Sequence, residues 1–120
     1  MLKIVADENI ALTEEAFSSF GNVVLLSGRK ITNEVLKTAD VLLVRSVTNV
    51  NEQLLNNTPV KFIGTATIGV DHIDVEYLES NKIYFTSAKG CNAYAVAEYV
   101  ITAIASIVKD KRLRYSDLTI

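Results

Sequence analysis

The stretch Val41-Leu42-Leu43-Val44-Arg45-Ser46-Val47-Thr48 passes in one step from consecutive apolar residues to a guanidinium and two hydroxyls. An unbroken apolar run bounded by polar residues suits a strand covered on both faces, because alternation develops only where one face meets water. Runs of the same kind lie at Lys3 to Ala6, Val23 to Leu26, Phe62 to Thr65 and Ile83 to Thr86. Segments with helical spacing separate them, and that alternation defines an α/β chain of parallel strands joined by crossover helices. The expected architecture is a flavodoxin-like three-layer sandwich with a five-stranded parallel sheet in the order 2-1-3-4-5, followed by a long C-terminal helix.

The intervening segments carry their own boundaries. Ala16, Phe17 and Phe20 follow Thr13, whose hydroxyl is suited to a helix cap, and Gly21 is suited to a left-handed helix end. Asn33 to Thr38 and Asn51 to Asn57 each begin on a capping asparagine, and Asp74 to Ser80 turns Val75 and Leu78 inward. Asn92 opens the longest segment, where Val96, Ala97, Val100, Ile101, Ile104, Ala105 and Val108 form a wide apolar band. Lys109, Lys111, Arg112 and Arg114 then complement the negative helix end.

Composition excludes several functions. The chain has 120 residues, 49% apolar and 22% charged, which is enough for one domain to bury a core without disulfide or metal support. A net charge of -2 with no basic stripe leaves no electrostatic footprint for nucleic acid. With one cysteine and one histidine, neither an internal disulfide nor a Cys/His zinc cluster is available, and a reducing cytoplasmic setting is expected. The apolar stretch from Ala93 to Val108 is interrupted by polar residues and falls short of the about 20 residues a membrane span requires.

In an open parallel sheet the ligand crevice lies beyond the carboxyl ends of the strands. The first strand leads to Asp7, Glu8 and Asn9, the third to Arg45 and Ser46, and the fourth to Thr65, Thr67 and Gly69. Arg45 offers a planar fork, Ser46 and Thr67 offer hydroxyls, and Gly69 permits close backbone approach, which together suit a small phosphorylated or carboxylated anion. The same hydroxyls also suit plain turn and cap roles. Asp7 and Glu8 read as solvated or capping carboxylates, His72 as a structural residue opening a helix beside Asp71 and Asp74, and Cys91 as a packed thiol.

Two stretches carry a family resemblance. Val44 through Asn51 and Gly64 through Asp74, with Gly90-Cys91-Asn92-Ala93 leading into Val96, Glu98 and Tyr99, resemble the D-isomer-specific 2-hydroxyacid dehydrogenases. Phosphoglycerate dehydrogenases of that family have Arg-Ala-Gly where this chain has Thr65, Ala66 and Thr67, and Asn at His72. The match is closer to the branch that acts on 4-phosphoerythronate. Lys89 departs from the pattern, which has a proline there.

The resemblance implies NAD-dependent oxidation of a small phosphorylated 2-hydroxy acid on the way to pyridoxal 5'-phosphate, by a cytoplasmic homodimer. It places Ser46 and Thr67 at substrate-binding positions, with Arg45 beside them. It also implies that residues 1–120 are the substrate-binding domain, with an interdomain helix at 92–112 and the NAD-binding domain elsewhere. No G-x-G-x-x-G occurs and no second histidine is present to act as general acid. The chain alone is therefore expected to be an inactive substrate-binding half, and the apolar face of its last helix, left uncovered, is expected to promote self-association. Two alternatives stay open: another D-2-hydroxyacid dehydrogenase, such as one acting on 3-phosphoglycerate, or a receiver-like signalling module of the same strand order. A receiver needs an aspartate at the end of the third strand, where this chain has Arg45 and Ser46.

Overall fold

Five parallel strands form one sheet in the computed structural model: β1 (Leu2–Asp7), β2 (Gly21–Leu26), β3 (Val41–Val44), β4 (Phe62–Thr65) and β5 (Tyr84–Ser87). The structure describes residues 2–10, 13–18, 21–66, 70–87, 97–98 and 100–102. The strand order is β2-β1-β3-β4-β5, the expected one, so β1, β3 and β4 are neighbours and their carboxyl ends share one edge. Register pairs Ile4 with Val41, Val41 with Phe62 and Phe62 with Tyr84.

Strand periodicity divides the core in two. Leu2, Ile4 and Ala6 of β1, with Val41, Leu43 and Phe62, face α1 (Thr13–Phe17) and bury Phe17 completely. Val5, Leu42, Val44 and Ile63 face the other way, onto Leu36, α2 (Glu52–Leu55) and α3 (Val75–Ser80). Every residue of β3 and β4 is buried, and the one polar side chain in the two strands, Thr65, closes β4. Phe62 and Tyr84 stack at 5.4 Å between centroids and seal the edge of the first layer.

The caps show how short helices persist here. Asn51 accepts a hydrogen bond from Leu54 N at 3.1 Å and Asp74 accepts one from Tyr77 N at 3.0 Å, each satisfying a donor the helix leaves open. Asn57 and Lys82 take positive φ values of 59° and 56°, reversing the chain after α2 and α3. Asparagine tolerates that conformation, whereas for lysine it is a source of strain.

Several local expectations change. Asn33 is not a cap. It donates to the carbonyls of Leu54 (2.9 Å) and Asn56 (2.8 Å), and the segment after it forms a 3-10 turn at Val35–Thr38 that buries Leu36. A second 3-10 turn, Gly28–Lys30, lies where no helix is expected. Thr13 sits inside α1, and its buried hydroxyl donates back to Ile10 O at 3.1 Å. Gly21 is the first residue of β2 and not a left-handed helix end: a Cβ there would collide with the Ile4 side chain and lie 3.0 Å from Leu2 O.

Of the long C-terminal segment, Ala97, Glu98, Val100, Ile101 and Thr102 are described and helical. Ala97 and Val100 are buried in the α1-side core and therefore pack on this chain's own sheet, while Ile101 is exposed. The rest of the helix expected at 92–112, with Lys89 and Cys91 before it, lies outside the described residues. Among the described residues no helix is long and apolar enough to cross a membrane.

Candidate functional site

The carboxyl edge gathers the polar residues that the strands exclude. At the end of β1, Asp7 continues the alternation of Val5 and is fully buried. Its Oδ1 accepts a hydrogen bond from Asn9 N at 2.9 Å, as a capping carboxylate would. Its Oδ2 has no hydrogen-bond partner among the described residues. Of the solvated and capping roles expected for it, Asp7 takes the capping one, and it does so buried. The signal that could have revealed this is β1's two-residue period, which carries Asp7 onto the inner face beside Val5.

Gly28 explains how a carboxylate is enclosed there. A Cβ on Gly28 would lie 2.8 Å from Asp7 Oδ2, 3.2 Å from Thr48 Oγ1 and 2.5 Å from Val47 Cγ2. Only glycine lets the 3-10 turn after β2 close over β1 and the loop after β3. Thr48 is buried and its hydroxyl donates to Gly28 O at 3.2 Å, while Thr48 N donates to Arg45 O at 3.2 Å. The turn at residues 45–48 is thereby fixed between two strand ends.

On that turn, Arg45 and Ser46 lead outward. Arg45 Nη1 lies 4.0 Å from Asp7 Oδ1, and the arginine side chain keeps 39% of its accessible surface. At 4.0 Å the contact is coulombic and not a hydrogen bond. The buried carboxylate thus sits against one guanidinium nitrogen of a side chain that stays partly accessible. Ser46 is exposed next to it. Such a fork with an adjacent hydroxyl is suited to two oxygens of a carboxylate or phosphate. Thr67 and Gly69, the other residues expected at the crevice, lie outside the described residues.

The end of β4 is organised differently. Ala66 N donates to Val44 O at 3.0 Å, extending the pairing with β3 past the strand. Buried Thr65 lies 3.0 Å from His72, Oγ1 to Nε2. His72 does not open a helix: it sits in a turn before α3, whose cap is Asp74. Burial lowers its pKa from the ordinary histidine value, against the pull of the neighbouring Asp71 carboxylate, so the imidazole is neutral near pH 7. No sequence spacing signals the Thr65–His72 pair, because it depends on the path of the chain between them.

This fold is that of a recognised class. Residues 3–116 match the family model of the D-isomer specific 2-hydroxyacid dehydrogenase catalytic domain, and the chain belongs to that family. Among individual proteins it is 51% identical, over 99% of its length, to the erythronate-4-phosphate dehydrogenase of Hahella chejuensis, of which it covers 31%. It is 54% identical, over 86% of its length, to the erythronate-4-phosphate dehydrogenase of Acinetobacter baumannii strain ACICU, covering 29% of that protein. The chain thus spans about 30% of the length of the curated relatives it matches. The crystal structure of NAD+-bound 3-phosphoglycerate dehydrogenase from Entamoeba histolytica superposes with a TM-score of 0.63 at 26% identity, over 72% of this chain and 32% of that one.

Proposed function

We propose that this chain is the substrate-binding part of an NAD-dependent erythronate-4-phosphate dehydrogenase, the oxidation of the 2-hydroxyl of 4-phospho-D-erythronate to a ketone being completed by residues outside it. The observation that carries this reading is identity above one half to proteins of that name over most of the chain. The partly accessible Arg45 beside exposed Ser46 supports it, since the substrate carries both a carboxylate and a phosphate. In this role Arg45 pairs with one of those anions, and the hydroxyls of Ser46 and Thr67 donate to its oxygens.

NAD, when bound, accepts the hydride. This chain's residues do not fit its cradle. The connection from β1 to α1, residues 8–12, contains no glycine, and the buried Asp7 carboxylate stands where a pyrophosphate requires N–H donors. We therefore assign the cofactor to the remaining length of the protein, together with the groups that polarise the carbonyl and move the proton. The protein works in the cytoplasm as a homodimer in this reading.

Isothermal titration tests the assignment. The chain is expected to bind erythronate 4-phosphate and to ignore lactate, which has the hydroxy acid without the phosphate. Equal response to both, or to neither, overturns it. Mixing the chain with erythronate 4-phosphate and NAD is expected to produce no NADH, and sustained NADH formation would contradict the division of labour.

A further inference from the structure

The expected anion site draws on the loop after β3 and the end of β4, and among the described residues His72 is bonded to both. His72 reaches Thr65 at the end of β4 with its side chain, Nε2 to Oγ1 at 3.0 Å, which closes the intervening connection. Its carbonyl accepts from Val50 N at 2.7 Å, which ties the same residue to the far end of the loop after β3. Ile73 continues the tie as a parallel bridge with Val50, and Asp74 N donates to Val50 O at 2.8 Å. Ile73 N donates to Val70 O at 2.9 Å, so the return of the chain into α3 is pinned on each side.

We infer that His72 is a positioning residue: it clasps the loop after β3 to the end of β4 and so holds the loop that carries Arg45 and Ser46 in place against the sheet. The inference rests on the substrate-binding reading above for its consequence, but the clasp itself stands on geometry. The neutral imidazole serves this purpose, because it bonds a buried hydroxyl without burying a charge. A glutamine side chain places an amide nitrogen near the position of Nε2. His72→Gln can therefore restore the bond, whereas His72→Ala cannot.

Amide hydrogen exchange by NMR on the full 120-residue chain decides the clasp without any ligand. In His72→Ala the amides of Val50, Ile73 and Asp74 are expected to exchange at least about tenfold faster, with those of Val5 and Leu42 in the sheet unchanged, as for a local opening. His72→Gln is expected to restore most of the protection. Unchanged exchange in the alanine variant, equal loss with glutamine, or acceleration of Val5 and Leu42 to the same degree each overturns the inference. Titration with erythronate 4-phosphate reads the consequence: about tenfold weaker binding for alanine and recovery with glutamine, about a 1.4 kcal/mol effect. Equal affinity of alanine variant and parent contradicts the positioning role. A parent chain that does not bind removes the substrate-binding reading, and the exchange rates still decide whether His72 clasps the loops.

Discussion

The carboxyl ends of β1 and β4 lie on the same edge of one sheet and place opposite demands on it. The β1 end buries a carboxylate, Asp7, with one oxygen capping Asn9 and the other without a partner among the described residues. The β4 end buries a hydroxyl, Thr65, and meets it with a neutral imidazole at 3.0 Å. A buried group with a hydrogen bond rigidifies its surroundings, whereas an unpartnered charged oxygen raises the electrostatic demand for a nearby cation. Arg45 answers that demand at 4.0 Å. One end is therefore scaffold, and the other keeps a partly accessible cation in place.

The largest effect should come from removing the cation. Arg45→Ala is expected to weaken erythronate 4-phosphate binding by at least about 100-fold, near 2.7 kcal/mol, as titration calorimetry would measure. Its melting temperature should also fall, because the fully buried Asp7 carboxylate loses its nearby cation, so the loss of binding is read under conditions where the variant is folded. A variant that binds normally but unfolds easily would reverse the roles of the two ends.

Removing the buried carboxylate tests the scaffold side of the same end. Asp7→Ala loses the bond to Asn9 N and opens space beneath Gly28, and should lower stability by about 1–3 kcal/mol in urea unfolding. No loss of stability would mean that Asp7 serves only Arg45.

Acid should act through the β4 end. Burial lowers the folded-state pKa of His72, so the neutral form favours the folded chain and its contribution is complete above the unfolded value of about 6.5. That contribution is lost as pH falls from there through the lower folded pKa. Denaturant midpoints of the parent should therefore fall from pH 7 into the mildly acidic range, and His72→Gln should flatten this part of the profile. A parent profile no steeper than that of the variant would contradict it.

Lys82, between α3 and β5, provides the smallest effect. Lys82→Gly relieves a φ of 56° after α3 and should raise stability by about 0.5–1 kcal/mol without changing ligand binding. Any change in binding would show that strain after α3 reaches the site.

The layers of the fold were legible because strand burial writes itself directly into composition. The Val41 to Val44 run reads as a doubly covered strand and is one, and Leu78 faces inward as its helical spacing requires. Asn51 and Asp74 act as caps because that chemistry is local. The failures occur where tertiary contact decides. Asn33 has the composition of a cap but is recruited by carbonyls more than twenty residues away in sequence. Gly21 is needed for the approach of β2 to Ile4, which no neighbouring residue announces.

At the site, the sequence placed Arg45 and Ser46 at a strand end by pattern alone. It missed the burial of Asp7, because paired acidic residues after a strand ordinarily face water. It also missed the Thr65–His72 pair, which forms through a turn and leaves no periodic trace.

Substrate binding as proposed requires an anion to seat itself at the carboxyl edge of the sheet. Nitrogen-15 NMR of the chain during titration with erythronate 4-phosphate tests this most directly. The backbone amides of Arg45 and Ser46 should shift in a saturable way, while those of Asp40 and Lys61, which lie before β3 and β4 at the opposite edge, stay in place. Saturable shifts centred on Asp40 and Lys61, or no shift at Arg45 and Ser46, would contradict it.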